Sequence, residues 1–138
     1  MSTDFPFTLD LSVRDYECDL QGIVNNAVYQ NYLEHARHQF LRACGFDFAN
    51  LHEQGHDLVL TRCEIDYKRP LRSGDEFTIR LRAERQGRVR FLFVQEIHRG
   101  DGAFVLQGRF IGTCLNRDGR PGFPPALAAL FSDPPPAL

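Results

Sequence analysis

The chain has 138 residues, 43% hydrophobic and 25% charged, with a formal net charge of −2. That length fits one domain with a sizeable core, and the composition is ordinary for a globular protein. The slightly acidic balance excludes a general nucleic-acid binder, which carries a basic surface, and no apolar run approaches the roughly 20 residues that span a bilayer, so no membrane insertion is expected.

Met1-Ser2-Thr3-Asp4 shows no basic region leading into an apolar stretch, which predicts a cytoplasmic protein. The cysteines, Cys18, Cys44, Cys63 and Cys114, lie far apart with no CxxC pair, so they read as free thiols. Of 16 basic residues only Lys68 is lysine; codon bias accounts for most of these arginines.

From Phe5 to Arg14, the apolar residues Phe7, Leu9, Leu11 and Val13 alternate with polar ones, the period of a half-buried strand. A glycine turn at Asp19–Gly22 follows, and Asn25 or Asn26 can cap a helix. From Ala27 to Cys44 the residues Tyr29, Tyr32, Leu33, Ala36, Phe40, Leu41 and Cys44 recur mostly at spacings of three and four. This predicts one long amphipathic helix, ended by Gly45. Phe46 to Gly55 reads as a short irregular or helical connection. Asp57 to Tyr67 reads as a strand with an irregularity near Arg62, and Ser73-Gly74-Asp75 as a turn.

Phe77, Ile79, Leu81 and Ala83 alternate clearly, and Gln86-Gly87 marks a hairpin into a strand from Val89 to Ile97. Within it, Phe91-Leu92-Phe93-Val94 is apolar on both faces, which predicts burial inside the fold or under a partner subunit. Gly100-Asp101-Gly102 turns into a last strand, Ala103 to Leu115. Pro124-Pro125 can start a short helix, and Asp133 to Pro136 reads as a frayed tail. The whole is an α+β chain, one long helix against an antiparallel sheet that is largely a meander.

Asp19 is the residue with chemistry. It sits on a tight turn just before the helix start, where unpaired N–H groups and the positive end of the helix dipole are found. A carboxylate there can serve as nucleophile or base while the N–H groups polarise a carbonyl. By spacing alone, the same aspartate is an ordinary turn former.

The run from Asp19 to Tyr29 fits D-x-x-G-[IV]-V-x-x-x-x-Y, and Tyr67 to Asp75 fits Y-x-x-P-L-x-x-G-D. With the proline-led Gly122 to Leu127, these closely resemble hotdog-fold thioesterases of the 4-hydroxybenzoyl-CoA thioesterase type. The Val13-Arg14-Asp15-Tyr16 lead-in and Val24 to Tyr29 look especially like plastid fatty acyl thioesterases and their bacterial relatives. The resemblance covers essentially the whole chain. It implies a single hotdog domain over 1–138, ordered over about 5–131 with a tail at 132–138, in which a curved antiparallel sheet of about five strands wraps the central helix.

It also implies hydrolysis of an acyl-CoA, or of an acyl group on acyl carrier protein, without metal or redox cofactor. Asp19 is then the nucleophile or general base. The oxyanion donor is the backbone amide of Asn26, with Gly22 or Ala27 nearby. A homodimer or homotetramer is implied, with the acyl site between subunits. Tyr29, Tyr32, Leu33 and Phe40 are candidates to line an apolar acyl pocket, and Glu34 to reach its far end; the plain reading of Glu34 is an ion pair with Arg37. Arg85, Arg88 and Arg90 around one hairpin, and Lys68, Arg69 and Arg72 before another turn, are candidates for the phosphates of CoA or an acidic carrier surface. A solvated hairpin tip is the plain reading of the first cluster. His35 and His38 read as surface histidines and Cys18 as a residue pointing away from Asp19. The histidine-bearing motifs of hotdog dehydratases are missing, since Asn25-Asn26 follows the Gly22 turn. A non-catalytic acyl-binding protein on the same scaffold is the remaining alternative.

Overall fold

A computed structural model describes residues 5–131. The predicted tail at Asp133 to Pro136 lies outside the described residues. Five strands form one antiparallel sheet: β1 (Phe7–Ser12), β2 (Asp57–Tyr67), β3 (Glu76–Gln86), β4 (Arg90–Arg99) and β5 (Phe104–Leu115). Their spatial order is β1-β3-β4-β5-β2. The meander expected from the sequence therefore holds for β3, β4 and β5. By contrast, β2 crosses over to pair with β5, and β1 pairs with β3. Both β1 and β2 are edge strands.

The long helix α1 (Asn26–Ala43) packs on one face of the curved sheet. Its N-cap is Asn25, whose side chain accepts from the Ala27 N–H at 2.9 Å. Gly45 stops it at φ 89°, a left-handed conformation that suits glycine. Tyr32 packs on Phe77, and Phe40 meets Phe7 and Phe93 edge-on. A short α2 (Phe48–Glu53) follows, capped by Asp47. The last helix, α3 (Pro125–Leu130), brings Phe131 to stack on Phe91 with centroids 5.1 Å apart. Among the described residues, no helix is long and apolar enough to cross a membrane.

The irregularity expected near Arg62 is a bulge between Leu60 and Arg62, where the register to β5 shifts. The doubly apolar segment of β4 is buried within one chain: Leu92 is 7% exposed and Val94 1%. Val94 lies in register with Arg82 and Arg109, whose long stems flank it. No partner subunit is needed to cover it.

Leu33 is fully buried at the centre of α1. Leu33→Ala is expected to cost about 3 kcal/mol, from lost transfer energy and the cavity left behind. Urea denaturation checks this, and a loss below about 1 kcal/mol would contradict the central packing of α1.

Candidate functional site

The Asp19 loop is built from both sides. A 3-10 turn at Asp15–Glu17 leads in, and its Glu17 carboxylate accepts from the Arg14 backbone N–H at 2.8 Å and from the Tyr32 hydroxyl at 2.7 Å. Burial, reinforced by that bond, pushes the Tyr32 hydroxyl above its usual range, so it remains a donor. The loop closes when the Asp19 N–H donates to Ile23 O and the Gly22 N–H to Asp19 O, at 2.9 and 3.0 Å. Gly22 has φ 78°, so this turn does require glycine.

The half-buried Asp19 carboxylate accepts from the Gln21 N–H at 2.9 Å. Its oxygens are also 3.0 Å from the Gln21 side-chain amide, once that amide is turned to present its nitrogen.

The second motif docks onto the first. Val24 N–H donates to Leu71 O at 2.9 Å, and Leu71 N–H donates to the Tyr29 hydroxyl at 2.9 Å. Ile23 forms an isolated bridge with Arg72. Gly74, at φ 84°, lets the Arg72–Asp75 turn tie back to Val13. Thus Asp19 to Tyr29 and Tyr67 to Asp75 form one corner of the molecule. Tyr29→Phe would strip the buried Leu71 N–H of its acceptor, and a loss of about 1–3 kcal/mol is expected. Thermal unfolding tests this; an unchanged midpoint would contradict it.

At the helix start, the Ala27 N–H is taken by the Asn25 side chain and the Val28 N–H by Asn25 O. The Asn26 N–H has no acceptor among the described residues, whereas the Gly22 N–H is used within the turn. A cavity of about 190 Å³ opens there, lined by Val24, Asn26, Tyr29, Tyr67, Lys68 and Arg69, with Ile23 and Pro70. Asp19 borders the same loop without lining that cavity. Lys68 and Arg69 are exposed at its rim, and their backbone N–H groups are anchored on Val105 O.

Other candidates lie elsewhere. Tyr32, Leu33 and Phe40 point into the chain's own core and do not line this cavity. Arg85, Arg88 and Arg90 stand at the β3–β4 hairpin, beside Thr113, while Tyr67 pairs with Leu106. Seven residues of strand, roughly 23 Å, separate the two ends of the sheet. Within one chain the hairpin arginines therefore do not reach the Asp19 corner. Arg85 instead bonds Arg88 O at 3.0 Å and lies over the Phe123 ring.

Arg37 does not pair with Glu34. It turns inward, only 7% exposed, donating to Gln95 Oε1 at 3.0 Å with its guanidinium 4.4 Å from the Phe110 ring centre. Burial lowers its pKa to about 10, which leaves it charged at neutral pH. Glu34 is exposed, at the rim of a second cavity of about 300 Å³ shared with Arg37, His38 and Phe48. His38 is half-buried against Phe48, and burial lowers its pKa, while His35 is exposed. Cys18 is half-buried against the core, and all four cysteines are free.

The reading from sequence missed Glu17 and Gln95. Gln95 is fully buried in the inward row Phe91, Phe93, Gln95, Ile97 of β4, a polar break in an apolar alternation that was there to be seen.

The sequence and the fold have counterparts. Residues 13–131 match the family model described as the thioesterase-like superfamily. Over 114 residues, 82% of this chain, the sequence is 35% identical to the chloroplastic acyl-acyl carrier protein thioesterase ATL3 of Arabidopsis thaliana. The chain spans 60% of that relative's length. A hypothetical protein of known structure from Aquifex aeolicus superposes with a TM-score of 0.84 at 30% identity, covering 91% of this chain and 99% of that one. A 1,4-dihydroxy-2-naphthoyl-CoA thioesterase from Synechocystis superposes with a TM-score of 0.83 over 91% of this chain and 94% of its own; at 19% identity it speaks to the fold alone. The sheet order, the central helix and the family match over residues 13–131 agree: this chain is a hotdog-fold member of the thioesterase-like superfamily.

Proposed function

We propose that this chain is one hotdog domain that hydrolyses an acyl-CoA thioester to the free acid and the thiol. The observation that carries the reading is the Asn26 N–H at the start of α1, which has no acceptor among the described residues and is tied into one corner with the Asp19 turn. Thioester cleavage builds negative charge on the carbonyl oxygen. A backbone donor aimed there contributes roughly 3–4 kcal/mol in well-studied cases. The thiol leaves easily, so no strong general acid is needed.

In this reading Asp19 attacks the carbonyl carbon or activates a water that does. Attack would release the thiolate and leave a mixed anhydride, which water then opens to regenerate the carboxylate. Lys68 and Arg69 at the cavity rim meet the phosphates of CoA. The Arabidopsis relative is named for acyl carrier protein, which favours a second reading in which the same two cations meet an acidic protein carrier.

The site is completed by a second copy. Among the described residues β2 is an unpaired edge of eleven residues on which Leu60 and Tyr67 are each 45% exposed and Cys63 is exposed. Such an edge invites pairing, and two-fold symmetry closes it. A homodimer, or a homotetramer of two such pairs, is the expected state; a monomeric mass by light scattering at micromolar concentration would contradict it.

Thiol release from short, long and aromatic acyl-CoAs, with matched acyl carrier protein thioesters beside them, tests the activity. Turnover on the CoA series is expected. Turnover on the carrier-protein series alone supports the second reading, and none on either supports a non-catalytic acyl-binding protein.

A further inference from the structure

The cavity of about 300 Å³ lies between the second half of α1, α2 and the start of β2. Its walls include Phe48, Leu58, Leu60, Phe91 and Phe93, with Arg37 among them. A cation in such surroundings is costly unless something answers its N–H groups. Arg37 has five donors. Among the described residues only one bond is made, to Gln95 Oε1, and no carboxylate lies within ion-pair distance. Gln95 is held in that orientation because its own amide donates to Leu33 O at 2.9 Å. Arg37 itself lines the cavity, and its remaining N–H groups have no protein acceptor among the described residues.

The other polar groups there set the sign of the ligand. Glu34 brings a carboxylate to the rim, and it acts on both Arg37 and His38. A carboxylate at the rim repels an anion, so donors in this cavity suit a neutral oxygen better. Its position is also telling. It and the cavity beside Asn26 sit along the same seam between α1 and β2: Tyr67 borders one and Leu60 the other. Asn26 and Arg37 are eleven positions apart, roughly 16 Å along the helix axis.

We propose that this cavity holds the distal end of the acyl group, and that Arg37 selects acyl groups carrying a hydroxyl or oxo oxygen there over plain alkyl groups. The inference rests on the thioesterase reading for its substrate. An alkyl end filling the cavity would displace water from Arg37 and leave its donors unmet, whereas a hydroxyl or oxo oxygen accepts from them. Sites that hydrogen-bond a substrate oxygen reject analogues lacking it.

The test compares dodecanoyl-CoA with ω-hydroxydodecanoyl-CoA, and the corresponding pairs two carbons shorter and longer, on the wild-type protein and Arg37→Met. The wild type is expected to favour the hydroxylated member by at least about tenfold in kcat/KM at one length or more. Arg37→Met should abolish or reverse that ratio. Equal kcat/KM for both members at every length in the wild type overturns the proposal, and so does a ratio that survives Arg37→Met; the wild-type comparison stands even where the variant folds poorly. If the wild type cleaves none of these thioesters, the acyl-CoA reading fails separately for acyl groups of this length. The selectivity is then read from calorimetric binding of dodecanoic against ω-hydroxydodecanoic acid. Tighter binding of the hydroxy acid supports the Arg37 assignment, and equal or absent binding overturns it.

Discussion

Asp19→Asn is expected to fold like the wild type and to lose about a thousandfold in kcat. Asparagine is nearly isosteric, and its side-chain oxygen can keep the bond now made by Asp19 to the Gln21 N–H at 2.9 Å. The turn closure runs through backbone groups of Asp19, Gly22 and Ile23, which the substitution leaves alone. What disappears is the negative charge and with it any capacity to attack a carbonyl or accept a proton from water. Positioned acid–base groups contribute roughly a hundredfold to ten-thousandfold, and a nucleophile no less. An unchanged unfolding midpoint with kcat within tenfold of wild type would remove Asp19 from the chemistry and return it to turn formation.

The largest structural effect is expected at Gly112. A Cβ placed there would lie 2.2 Å from the Val59 carbonyl oxygen and 2.4 Å from Phe91 Cζ. Phe91 pairs with Gly112 across β4 and β5, covers the glycine, and stacks on Phe131, so it has no free direction in which to move. The Val59 oxygen belongs to the backbone of β2, so relief would require parting β2 from β5. Gly112→Ala should cost roughly 3 kcal/mol or more, at or beyond the upper range for overpacking. Gly122→Ala, where a Cβ meets nothing, is the control and should stay within about 0.5 kcal/mol. Urea denaturation of the two variants decides: a Gly112→Ala midpoint close to that of Gly122→Ala would contradict the packing of Phe91 over the sheet.

Much of this was legible in the residues. Period-two alternation in Phe7 to Val13 and Phe77 to Ala83 marks strands that do form. Spacings of three and four from Tyr29 to Leu41 mark a helix whose buried set is the one expected, with Arg37 added. Arg37 was within reach, because it lies four positions after Leu33 and three before Phe40 on the same face. An eye for its nearest acid, Glu34, gave it the wrong partner. Pairing partners of strands were not legible. Alternation tells which face of β2 is apolar but not that β2 borders β5 instead of β3, since that depends on a crossover between distant segments.

The site shows the same division. Asn26, Lys68 and Arg69 share one cavity, with the Asp19 turn beside it, because two local motifs dock through Val24, Leu71 and Tyr29. Arg85, Arg88 and Arg90 carry suitable charge, but charge says nothing about which end of a sheet a hairpin occupies. Tyr32 and Leu33 are apolar residues on a helix face, and the core competes with a ligand pocket for such residues; here the core holds them.

Catalysis at this corner requires the thioester carbonyl to bind at the start of α1. A crystal structure of the protein with a non-hydrolysable acyl-CoA analogue tests this most directly. The carbonyl oxygen is expected within about 3 Å of the Asn26 N–H, with an Asp19 carboxylate facing the carbonyl carbon. An analogue whose carbonyl lies away from the start of α1, with no contact to the Asp19 turn, would contradict it.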